Sequence, residues 1–258
     1  MKIAVISDIH GNLEALNSVM EDIEQRECDK IFVLGDLAMA GPNPDIAVDY
    51  FMSKINDPKY TIIQGNTDLM IFEYNENLYN ILKTKAPIMA EALKSDVAML
   101  SPIQKNFLAV LPIQKELEVD GVKFLLVHGS PRKNNEDILP DLSLEKVEEM
   151  LEHVETDVVL CGHTHIPCGF QTSTKKTVVN VGSVGRPFYT PALEGEDPSK
   201  VKPKACYLTI DVDNAQCTYQ HHFIDYDRDK ASQELAKRNF DGANKLAEML
   251  LNPETRHF

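Results

Sequence analysis

The chain has 258 residues, 43% of them hydrophobic and 26% charged, with a net charge of −14. That is enough apolar material for one large core, while so acidic a surface repels the phosphate backbone of nucleic acid. No apolar stretch approaches the ~20 residues of a membrane span, and "MKIAVISDIHGN" at the N-terminus lacks a signal peptide's long apolar stretch and cleavage site, so a cytoplasmic protein is expected.

Residues 2–7, "KIAVIS", form a β-branched run suited to a strand buried on both faces. Leu13, Leu16, Val19, Met20 and Ile23 then recur at helical spacing. A second buried strand is predicted at 30–35, a helix near 45–55 and a third strand at 60–64. This β-α-β-α-β order implies a parallel half-sheet with right-handed crossovers. Residues 69–111 shift to helix-type composition, and Ser101, Pro102 and Gln104 mark a helix start as N-cap, first helical residue and capping partner. We expect a small helical insertion over about 69–112, beside the functional face. "KELEV" and "VKFLLV" flank Asp120-Gly121, a two-residue hairpin turn. Further on we predict a helix over 143–153 capped by Ser143 and a strand over 157–162. Short β runs follow at 167–171, 177–181, 205–212 and 216–224, then a helical tail at 229–251 broken near Asp241-Gly242. One domain over 1–258 accommodates these elements.

Four of the strand ends carry chemistry: "SDIHGN" (Asp8, His10, Asn12), "LGDL" (Asp36), "QGNTD" (Asn66) and "VHGS" (His128). A fifth place, "CGHTH", adds His163 and His165. Ligands of open α/β sheets bind outside the carboxyl ends of the strands, so these five clusters can converge. Two carboxylates, four imidazoles and one amide oxygen suit borderline transition metals such as Mn, Fe, Co, Ni or Zn. Asp36, alone at its strand end, is placed to bridge two ions, which can clamp a phosphate between them. By contrast His153, His221, His222 and His257 read as surface or satisfied core histidines. Cys161 and Cys168 read as small core residues, and five cysteines in a long chain argue against a disulfide framework.

The ordered set "DIHGN…GDL…GNTD…VHGS…GHTH" resembles the calcineurin-like metallophosphoesterase superfamily, and within it the small prokaryotic phosphodiesterase and dinucleoside-polyphosphate hydrolase branch. "HGSPR" at 128–132 and "NVGSVGRP" at 180–187 also resemble that branch. The resemblance implies a four-layer α/β/β/α sandwich. It implies one metal held by Asp8, His10, Asp36 and His165, and a second held by Asp36, Asn66, His128 and His163. Hydrolysis of phosphodiester or phosphoanhydride bonds by a bridging hydroxide would follow, with His10, Asp36 and Asn66 at the reacting centre. Asn12 would brace the first loop, and with Arg132 and Arg186 it is a candidate on the substrate side. The expected partner is a small phosphorylated molecule of nucleotide type, with neither membrane nor nucleic acid involved; association of copies is left open. Many members have "GNHE" where this chain has "GNTD", so Thr67 replaces a candidate proton donor. Alternatives are a phosphomonoesterase, protein phosphatase or nuclease of the same superfamily, or a metal-binding protein without turnover.

Overall fold

The computed structural model describes residues 1–192, 197 and 201–252. The first half runs β1 (Lys2–Ile6), α1 (Leu13–Gln25), β2 (Lys30–Val33), α2 (Pro44–Met52) and β3 (Tyr60–Ile62). Four helices follow: α3 (Asn66–Phe72), α4 (Glu76–Lys85), α5 (Pro87–Met99) and α6 (Pro102–Val110). Then come β4 (Gln114–Val119), β5 (Val122–Val127), α7 (Leu144–Met150), β6 (Val158–Cys161), β7 (Cys168–Gln171) and β8 (Thr177–Asn180). The chain closes with β9 (Ala205–Asp213), β10 (Gln216–Ile224), α8 (Arg228–Ala236) and α9 (Ala243–Leu251). His257 lies outside the described residues.

Two five-stranded mixed sheets result, ordered β10-β9-β1-β2-β3 and β4-β5-β6-β8-β7. Strands β1, β2 and β3 are parallel in the first, and β5, β6 and β8 in the second. The period-2 alternation of a strand explains the layers. In β1, Ile3 and Val5 face the other sheet and meet Phe124, Leu126 and Leu160, while Ala4 and Ile6 face the helices. Phe32 and Phe124 pack edge-to-face across the sheets, ring centroids 6.2 Å apart. Helix α7 covers the outer face of the second sheet through Val147 and Met150, against Leu125, Val127 and Val159. The layers are therefore helices, sheet, sheet, helix, as the resemblance implied.

Local signals explain most boundaries. Asp120 and Gly121 have φ of 48° and 81°, the paired positive angles of a type I′ turn joining β4 to β5. Ser101 and Gln104 form the expected capping box of α6. One boundary differs from expectation. The helical insertion, expected from about 69, begins at Asn66 with the first turn of α3, where the Asp68 carboxylate accepts from Gly65 N at 2.9 Å and satisfies a donor at the helix start.

Candidate metal centre

The carboxyl ends of the parallel strands present the candidate side chains. Asp8 follows β1, Asp36 follows β2, Asn66 follows β3, His128 follows β5, and His163 and His165 follow β6. To bring such side chains back over a strand end, the backbone must turn sharply. Asp8, His10, Asp36, His163 and His165 all have positive φ, between 48° and 67°. Positive φ in residues other than glycine is uncommon and strained, and it clusters where the surroundings enforce it for function. Backbone bonds lock the loops together: His10 N donates to Asp36 O at 2.9 Å, and Gly11 N to Leu37 O at 3.0 Å. A Cβ on Gly65 would fall 2.1 Å from Asp36 N, so only glycine lets the ends of β2 and β3 approach this closely.

Three lone pairs converge on the first cluster. His10 Nδ1 donates to Met39 O at 2.9 Å and His165 Nδ1 to Arg186 O at 2.7 Å, since a carbonyl can only accept. Their Nε2 atoms face each other at 3.2 Å, and Asp8 Oδ1 lies 3.1 Å from His165 Nε2 and 3.8 Å from His10 Nε2. Asp8 Oδ1 is buried and has no hydrogen-bond partner among the described residues. The second cluster repeats the pattern. His128 Nδ1 donates to Leu34 O at 2.6 Å, leaving Nε2 to face Asn66 Oδ1 at 3.0 Å, Asp36 Oδ2 at 3.3 Å and Asp8 Oδ1 at 3.8 Å. Acceptors aimed at one another in a buried site repel unless a cation lies between them. The donor set and its arrangement thus fit metal ions.

The charges on these groups reflect the same crowding. Burial would raise Asp8, but the His165, His128 and His10 imidazoles hold it far below the usual carboxylate range. Burial likewise opposes charge on Asp36, yet His128 and His10 bring it down to about 2. Burial lowers His10 to about 3, with Asp36 only partly opposing. On His128 burial is outweighed by Asp36 and Asp8, and the ring is pushed up to about 10. The difference arises because Asp36 and Asp8 outweigh burial at His128, whereas burial prevails at His10.

The remaining candidates are placed unequally. His163 is in contact with the cluster through its backbone N, 3.0 Å from Asp8 Oδ2, but its Nε2 faces Asp137 Oδ1 at 3.3 Å. Arg186 is half-buried near Asp8 and Asp36, with Nη1 3.9 Å from Met89 Sδ on α5. Asn12 is buried, caps α1 by accepting from Ala15 N and donates to Gly185 O at 2.8 Å; its amide braces the loop. Arg132 is not brought to the cluster. It is ion-paired to Glu136 at 2.7 Å and lines a surface cleft with His153 and Glu149. Thr67 donates its hydroxyl to Ala38 O at 3.1 Å and its N–H to Asp36 Oδ1 at 2.8 Å. Asp68 ties Leu37 N to Gly65 N, and burial together with Asp36 raises it to about 7. Asp137 escaped sequence reasoning, because nothing in "KNNEDI" distinguishes it from a solvated loop acid.

No helix among the described residues is long and apolar enough to cross a membrane. An uncharacterised protein of Methanocaldococcus jannaschii is 31% identical over 269 aligned residues, covering 96% of this chain and 95% of that protein. The crystal structure of a hypothetical protein from Pyrococcus horikoshii superposes with a TM-score of 0.81 at 21% identity, over 97% of both chains. A metallophosphoesterase from Sphaerobacter thermophilus superposes with a TM-score of 0.71 at 22% identity, over 97% of this chain and 98% of that one. These two likenesses establish the fold. Residues 1–214 match the model of the calcineurin-like phosphoesterase superfamily domain, and the chain belongs to that superfamily.

Proposed function

We propose that the protein is a two-metal phosphohydrolase acting on phosphodiester or phosphoanhydride bonds of small, nucleotide-type substrates, dinucleoside polyphosphates among them. The observation that carries this reading is the convergence of Asp8 Oδ1, His10 Nε2 and His165 Nε2, three buried acceptors with their donor ends already committed. His10, His165 and Asp8 would hold one ion, and His128, Asn66 and His163 the other, with Asp36 between them. When bound, such ions supply Lewis-acid charge and an activated water at neutral pH. Mn, Fe, Ni, Co and Zn all suit the donors.

The chain's own residues do the rest. Arg186, close enough to feel Asp8 and Asp36, would hold anionic phosphoryl oxygens. Met89 of α5 touches Arg186, which supports a role for the helices from α3 to α6 in substrate choice. Thr67 cannot donate to a leaving group, because its hydroxyl is spent on Ala38 O. Substrates whose leaving group needs no proton are therefore favoured. A departing phosphate has a pKa near ~6, against ~16 for water-like alkoxides, and general acid help is worth about 10²–10⁴-fold.

Turnover of a dinucleoside polyphosphate, an aryl phosphodiester and phosphoserine by Mn²⁺-loaded protein tests the proposal. The first two should exceed phosphoserine by at least ~100-fold. Metal uptake without turnover of any of them would overturn it in favour of a non-catalytic metal protein.

A further inference from the structure

A buried ion pair joins the two helical segments that lie outside the strand-end motifs. Asp96 on α5 is 0% exposed, and Arg238, between α8 and α9, is 8% exposed. Arg238 Nη1 lies 2.5 Å from Asp96 Oδ1 and donates to Gly41 O at 2.8 Å, while Nη2 donates to Ser95 Oγ at 2.9 Å. The other carboxylate oxygen, Asp96 Oδ2, accepts from Ala40 N at 3.0 Å. Both members of the pair thus grip one loop, residues 37–41, which follows Asp36.

That loop sets the geometry of His10. Met39 O accepts from His10 Nδ1, and a Cβ on Gly41 would fall 1.5 Å from His10 O, so the loop lies directly on the histidine. Met39 and Ala40 have φ of 86° and 61°, a strained conformation that persists only where neighbours over-determine it. Desolvation makes a buried ion pair a weak source of stability, whereas fixing Ala40 N and Gly41 O on one side fixes the direction of Met39 O.

We infer that Asp96 and Arg238 are positioning residues for His10: they pin the 37–41 loop so that Met39 O holds the Nδ1–H tautomer and aims Nε2 at Asp8 and Asp36. The consequence for metal binding rests on the function proposed above; the pinning itself is readable without metal. The C-terminal helices thereby become part of the centre although they contribute no ligand.

Nitrogen-15 histidine spectra of the full-length protein test this, with His10 identified by its loss in His10→Gln. Wild type should show His10 as the neutral Nδ1–H tautomer. The double variant Asp96→Leu/Arg238→Met replaces the pair by apolar groups, an exchange that is often neutral for stability. It should melt near wild type, yet show His10 nitrogens shifted toward a mixture of tautomers. Its Mn²⁺ affinity should fall about 10-fold, as when the partner orienting a ligand is removed. Should the double variant not fold, Arg238→Lys serves with the same expected spectrum, since a point charge cannot replace the fork that spans Gly41 O and Ser95 Oγ. Unchanged His10 nitrogens in either folded variant would overturn the inference. Wild type that takes up no metal would overturn the proposed function instead, and the spectra would still decide the pinning.

Discussion

The two halves of the candidate centre are built differently. In the half formed by Asp8, His10 and His165, both rings are tied by Nδ1 to backbone carbonyls, and the exposures are 0%, 2% and 7%. In the other half only His128 is tied in this way, to Leu34 O. His163 faces Asp137, whose side chain is 51% exposed, and Asn66 is half-buried. Preorganised ligands bind without the cost of ordering flexible side chains. The first half should therefore hold its ion tightly, and the second should be filled later and emptied sooner.

The largest effect expected is at the carboxylate shared by both halves and at the imidazole beside it. Asp36 Oδ2 lies 3.7 Å from His10 Nε2 and 3.3 Å from His128 Nε2. Asp36→Asn and His128→Ala should each lower turnover of an aryl phosphodiester by ~10³-fold or more, about 4 kcal/mol of barrier, since each removes a ligand of the proposed metal sites. His153→Ala, in the exposed turn after α7, should leave it within ~2-fold. Equal losses in all three would misplace the centre.

Next in size is the contrast between the halves. His165→Ala should abolish the tighter metal event in a calorimetric titration, while His163→Ala should weaken only the looser one, by about 10–100-fold. Reversed effects would break the comparison. Smaller still is Asp137→Asn. If Asp137 holds the His163 ring outward, losing its charge should change the looser affinity by less than ~10-fold and leave the tighter one unmoved.

Much of this centre was legible in the sequence. Each proposed ligand from Asp8 to His128 follows an apolar run, and parallel strands place such positions together. What the pattern could not supply was direction. Arg132 and Arg186 both sit in glycine- and proline-containing loops, yet one is held by Glu136 four residues on and the other turns to the centre. The predicted helical insertion and tail were likewise found as helices, but as separate pieces. Their junction through Asp96 and Arg238 depends on packing between segments far apart in the chain, and a lone aspartate in a helix carries no sign of it. The first turn of α3 was missed because glycine is a modest N-cap signal.

A separate expectation, for stability rather than activity, is a pH dependence outside the metal-binding side chains. Burial, only partly offset by Arg238, pushes Asp96 up to about 6 from an ordinary 3.8. The folded protein therefore keeps a proton between about pH 4 and 6 that the unfolded chain has released. Through this group stability should fall as pH rises across that window, by no more than about 3 kcal/mol, and level off above it. Asp96→Asn should flatten that part of the melting-temperature profile relative to wild type. An unchanged slope would mean that Arg238 keeps Asp96 ionised throughout.

The most direct test of the two-metal reading is a calorimetric titration of chelator-treated wild-type protein with Mn²⁺. We expect two ions per chain in two resolved events, the tighter at Asp8, His10 and His165 and the looser at Asn66, His128 and His163. A single event of one ion per chain, or no uptake, would contradict it.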